Sequence, residues 1–380
     1  MLTHHSDKSY KEAASEAARI GRDRLNAMIE TGRERGVALV QALDRQIIDD
    51  RVVRGSRLSY EAGKGGIEVI YGDGQPAKGP DGREVPGRER VHRHALGQIA
   101  GAYGVPVTYL NRLHGEERLH ELLGTILSHH AHLDPQKRLA RSVNGEMRGF
   151  LSDKYKRIDP RPVLAMFLRA CDQYGAVPFA SFIGDTKFEL KVILQRVFEP
   201  VEGEVLAFGV SYKASSFGAG AEELALFIDR IWCTNLCAIQ TPLRKVHIGT
   251  RIEEGIDFTR EAIDAETKAL ALMVRDVTAT QLKPERINQL CDAVRNADAK
   301  KMTGLEVEQF LKKHLSAGEA DEVTNLYAKE ADVEVLPRKE SAWRLSNAIS
   351  WFAQKSDKVD GERRLELEAV AGALVPLRAA

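Results

Sequence analysis

Four cysteines in 380 residues (Cys171, Cys233, Cys237 and Cys291) are too few and too irregularly spaced for a disulfide framework. Neither sign of charge prevails. Lys and Arg total 55 and so do Asp and Glu, so any affinity for a polyanion must come from where the cations sit. Long apolar runs are missing, and no stretch approaches the ~18 residues of a membrane span. Met1–Arg24 carries acids and has no apolar segment, which sets aside a secretory signal. The expected setting is a reducing cytoplasm without a membrane partner. Recognisable catalytic loops are absent as well. Gly63-Lys64-Gly65-Gly66 lacks the spacing of a phosphate loop, and no Gly-x-Ser-x-Gly elbow occurs.

What is present is globular: 43% hydrophobic and 29% charged residues, on a chain too long for one minimal domain. Ala13–Val40 reads as a helix with Ile20, Leu25, Met28 and Ile29 in a partial stripe. The glycines from Gly63 to Gly87, with Pro76, Pro80 and Pro86, leave room for a short hairpin around Ile67–Tyr71 within a long loop. His94–Leu127 reads as two or three short helices broken at Gly104-Val105-Pro106. Arg138–Asp159 reads as a hairpin turning at Asn144-Gly145, followed by a helix opened by Pro160 and Pro162. Phe188, Leu190, Val192 and Leu194 alternate with polar residues as in a half-buried strand, and Val205–Lys213 alternates similarly. Leu224, Phe227, Ile228, Ile231 and Leu236 suggest a helix over Glu222–Ile239, which would place Cys233 on a buried helix and unbonded to Cys237. Beyond Arg251 the chain reads as helical throughout. Four regions follow: 1–93, 94–136, 137–255 and 256–380.

Charge is segregated locally. Nine Lys and Arg face three acids between Lys137 and Arg169, and from Ser316 to Glu340 seven acids face Lys329, Arg338 and Lys339. Arg138, Arg141, Arg148, Lys154, Lys156 and Arg157, interleaved with Phe150 and Tyr155, suit a single-strand binder. Cations follow phosphates while aromatic faces stack on unpaired bases. The plainer alternative is a solvated hairpin with Phe150 in the core. Arg244, Lys245, His247 and Arg251 form a second basic cluster, preceded by Thr234 and Asn235; cations at a helix end would look the same. Ala95–Leu113 has the outline of a helix-turn-helix with Arg88, Arg90, Arg93 and His94 upstream. His114, His120, His129, His130 and His132 lack the spacing of a zinc site, and Asp153, Asp159, Asp185 and Glu189 form no recognisable metal motif. No catalytic residue, metal or cofactor is assigned.

Arg230-Ile231-Trp232-Cys233-Thr234-Asn235-Leu236 and Lys245-Val246-His247-Ile248-Gly249-Thr250 resemble the phage/plasmid-like family called domain of unknown function nine-three-two. Ala95–Leu113, Gly149–Arg157 and Ala342–Phe352 are similar to further segments of that family. Trp232 and Leu236 depart from its pattern, which has an aliphatic residue and a glycine there. The resemblance implies a mobile-element context and no particular chemistry. The order of basic hairpin, helix, antiparallel strands and helix is also similar to single-strand annealing recombinases.

The expected fold is α+β: an antiparallel sheet from Arg138 to about Arg251 with helices on one face, and helical N-terminal and C-terminal extensions. The expected function is nucleic-acid binding in phage or plasmid recombination or replication, as a homo-oligomeric single-stranded DNA annealing protein. A metal-dependent nuclease or nucleotide-modifying enzyme, and a duplex-binding regulator using Ala95–Leu113, are the alternatives.

Overall fold

The computed structural model describes residues 15–78, 83–231, 235–245, 259–329, 336–337 and 339–377. Helix α1 (Glu16–Asp44) leads into strands β1 (Ile48–Arg54), β2 (Leu58–Gly63), β3 (Gly66–Tyr71), β4 (Ala77–Lys78), β5 (Glu84–Val85) and β6 (Arg88–Val91). Helices α2 (Arg93–Tyr103), α3 (Val107–His114) and α4 (His120–His132) precede the hairpin β7 (Lys137–Val143) and β8 (Glu146–Ser152). After α5 (Pro160–Asp172) come β9 (Ala176–Ile183), β10 (Phe188–Leu194), β11 (Phe198–Val201), β12 (Glu204–Ala214), β13 (Glu222–Arg230) and β14 (Asn235–Lys245). The remainder is α6 (Arg260–Gln281), α7 (Pro284–Ala299), α8 (Gly304–His314), α9 (Ala317–Ala328), α10 (Ala342–Lys355) and α11 (Gly361–Gly372). The fold is α+β.

Two sheets organise these elements. The first has strand order β1-β7-β8-β6-β3-β2, antiparallel except where β6 runs parallel to β8. Its turns follow local chemistry: Asn144 and Gly145 both take positive φ, 51° and 81°, as a tight hairpin requires. Helices α2 and α4 bury Leu96, Ile99, Leu123 and Leu127 against Tyr60, Val69, Met147 and Phe150 of this sheet. The second sheet has order β14-β13-β12-β10-β9, with β11 beside β12, and all its pairs are antiparallel.

Several expectations need correction. The basic hairpin does not belong to the same sheet as the later strands. Nor are helices confined to one face of the second sheet. Leu206, Phe208 and Val210 face the core that holds α5, where Phe167 meets Tyr212 at 5.8 Å between ring centroids. Val205, Ala207 and Phe227 face α1 on the other side. Strand β10 is therefore buried throughout rather than half-buried, and Glu189 and Lys191 lie inside with Glu368 of α11. Glu222–Arg230 and Asn235–Lys245 are paired strands, not parts of a helix. Both faces of β13 are largely buried and each carries apolar residues, so its side chains show no clean period of two. Cys237 thus stands on a strand, while Cys233 lies outside the described residues. Residues 48–91 also hold far more strand than one short hairpin.

Helix α10 is buried almost all round, and it fixes the C-terminal helices to the second sheet. Trp343 Nε1 donates to Glu204 Oε2 at 3.1 Å, and Glu204 in turn holds the fully buried Arg230 at 2.6 Å. A buried charge of this kind is tolerated only with such complete pairing.

Candidate nucleic-acid interface

The two sheets meet along a seam. On one side are β8 and the start of α2; on the other are the turn between β12 and β13 (Ser215–Ala221) and the turn between β9 and β10. His94 Nε2 and Gln98 Nε2 lie 3.0 and 2.8 Å from the Phe217 carbonyl oxygen, and Gln98 Oε1 accepts from the Phe150 amide at 2.7 Å. Burial lowers the His94 pKa. His92 Nε2 approaches Asp185 Oδ2 at 3.3 Å, and Arg148 Nη1 donates to the Asp185 carbonyl at 2.9 Å. Gly218 has φ 73°, and a Cβ there would lie 2.6 Å from Leu151, so the turn needs glycine to seat against β8.

The segment Asp153–Arg157 crosses this seam as a strap from β8 to α5. Tyr155 Oη donates to the Ser215 carbonyl and accepts from the Gly218 amide, both at 3.3 Å. Burial pushes its hydroxyl up to about 12. Lys156 pairs with Glu266 of α6. Lys154 and Arg157 are half-exposed and have no acidic partner among the described residues.

The other cations of the hairpin are committed elsewhere. Arg138 Nε binds Asp134 at 2.8 Å, and Arg148 Nε binds Glu146 at 3.0 Å. Arg141 is buried, with its Nε 3.4 Å from Asp50. Arg244 is exposed and shares Glu223 with Lys213, at 2.9 and 2.8 Å. By register, Glu223 stands opposite both Lys213 and Arg244, whereas Glu222 stands opposite Lys245 on the other face. The described part of the second basic cluster therefore comes to the same end of the second sheet as the strap, but Arg244 is on the face opposite Tyr212 and Glu222. His247 and Arg251 lie outside the described residues, as does the side chain of Lys245.

His92 and Lys213 were not among the candidates read from the sequence, and His94 and Gln98 entered only beside or within the helix-turn-helix outline of Ala95–Leu113. Only the glycine-bearing run Ser215-Ser216-Phe217-Gly218-Ala219-Gly220, between two strands, signals a turn in close contact with something else. Elsewhere, His120 Nε2 meets the His114 carbonyl at 2.9 Å, and His130 stacks on Tyr103. No group of three or more His, Cys, Asp or Glu among the described residues is arranged to hold a metal. Helix α2 is packed on the first sheet, and the short α3 exposes Val107 and Tyr109. No described helix is long and apolar enough to cross a membrane. Comparison with protein-family models, curated proteins and solved structures finds no match for this chain.

Proposed function

We propose that the protein is a cytoplasmic nucleic-acid-binding protein that holds single-stranded DNA at the strap, in the mobile-element setting that its resemblance to domain of unknown function nine-three-two implies. One observation carries the reading. Two basic segments far apart in sequence, Lys154–Arg157 and the end of β14, come to the same end of the second sheet. Lys154 and Arg157 stand there half-buried with no carboxylate partner among the described residues, which leaves them available to phosphates. Tyr155 fixes the strap between them. A strap seated on a rigid turn presents its cations at defined spacing, so less ordering is required on binding.

The test is a gel-shift series with single-stranded and duplex oligonucleotides, with and without magnesium, sampled over time. Shifted single strands that stay intact are expected. Preference for duplex would favour a regulator using α2 and α3, and cleavage would favour a nuclease; either would overturn the proposal.

A further inference from the structure

A sheet edge exposes backbone N–H and C=O groups to any strand that can pair with them, and three of the four edge strands of the two large sheets have a helix packed against them. On β2, the Ser128 side chain of α4 accepts from the Tyr60 amide at 2.7 Å and donates to the Tyr60 carbonyl at 3.0 Å. Helix α1 lies against β9, where Ser181 Oγ donates to the Arg35 carbonyl at 3.1 Å. Helices α10 and α11 lie against β14. Strand β1 pairs with β7 on one side and with no other strand among the described residues.

The flanking hydrogen bonds show which groups of β1 point outward. The Asn144 amide donates to the Ile47 carbonyl, and the Gly55 amide donates to the Gln136 carbonyl. In an antiparallel ladder bonding alternates, so odd-numbered residues of β1 bond to β7. Asp50, Val52 and Arg54 are left with their N–H and C=O groups directed away from the sheet. Val52 is among the exposed large hydrophobic residues, and Ile47, just before the strand, is another.

We propose that a second copy of this chain occupies this edge, β1 pairing antiparallel with its own counterpart about a two-fold axis at Val52. In that register alone β1 forms ion pairs without setting like charges opposite each other. Val52 meets Val52, Asp50 meets Arg54 twice on one face, and Arg51 meets Val53. Centring on Arg51 would oppose two arginines, and centring on Asp50 would oppose two carboxylates; centring on Val53 would form no ion pair. The register at Val52 also matches the outward backbone groups, giving reciprocal bonds at Asp50, Val52 and Arg54. The two copies then share one continuous sheet, an isologous contact.

The experiment is light scattering on the full chain, combined with mild oxidation of Val52→Cys. The expected mass is twice the 42.2 kDa of one chain. Arg54→Asp, which sets carboxylate against carboxylate, should return it to one chain, and Arg54→Lys should keep the dimer. Paired Cα atoms at a hydrogen-bonded site lie about 5.5 Å apart, within disulfide range, so Val52→Cys should cross-link while Leu122→Cys, on an exposed face of α4, should not. A single-chain mass for the wild type, or a dimer that survives Arg54→Asp and leaves Val52→Cys uncross-linked, overturns the proposal. Because Val52→Cys hardly changes the side chain's size, its result stands even if Arg54→Asp fails to fold.

Discussion

Asp229 on β13 is fully buried, and neither carboxylate oxygen has a hydrogen-bond partner. Burial pushes it up to about 8; Glu368 adds to the rise and Lys191 opposes it. The folded chain therefore keeps a proton that the unfolded chain, with an ordinary value near ~4, has lost. Stability accordingly falls as pH rises from about 4 towards about 8, and levels off above that. Asp229→Asn removes this loss, so thermal melts of the variant should drop much less between pH 5 and pH 9 than those of the wild type. An equal drop in both would show that Asp229 does not titrate in this way. These residues were not legible as a group. Glu189 and Lys191 look like the outward side of a half-buried strand, and the helix that buries them, α11, lies far along the chain. The same holds for Arg138, Arg148 and Lys156. Each reads as an available cation until the fold supplies Asp134, Glu146 or Glu266.

Elements with strong local rules were legible. The breaks around α2 and α3, the Asn-Gly turn of β7 and β8, the proline-led α5 and the helical C-terminal region all follow from short-range chemistry. Strand β13 did not, because burial on both faces erases the alternation that marks a strand. The path of α1 was also hidden. Its glycines look like interruptions of a helix, yet they let it approach the second sheet closely. A Cβ on Gly32 would sit 2.1 Å from the Phe179 carbonyl oxygen. Gly32→Ala should therefore destabilise the protein by roughly 1–3 kcal/mol or more despite the better helix propensity of alanine. Gly97→Ala on α2, where nothing lies within 4 Å of the added carbon, serves as the matched control and should be neutral or stabilising. Urea unfolding compares the two, and equal effects would mean that α1 does not approach β9 so closely.

At the scale of the whole molecule, two sheets with separate cores are joined by a seam, and the strap of Asp153–Arg157 crosses it. The sequence showed the α+β character and an excess of cations between Lys137 and Arg169, but not that a seam would divide them. That division sorts the basic residues into those paired with acids in the fold and those without an acidic partner among the described residues. The most direct measurement is the salt dependence of single-stranded DNA binding, followed by fluorescence anisotropy, for the wild type, Lys154→Ala/Arg157→Ala and Arg138→Ala. Losing two phosphate contacts should flatten the log–log slope by about 1.4, at about 0.7 per contact, whereas Arg138→Ala should leave the slope unchanged because that cation already holds Asp134. A double variant with the wild-type slope, or an Arg138→Ala slope that flattens as much as the double variant's, would contradict the strap as the binding surface.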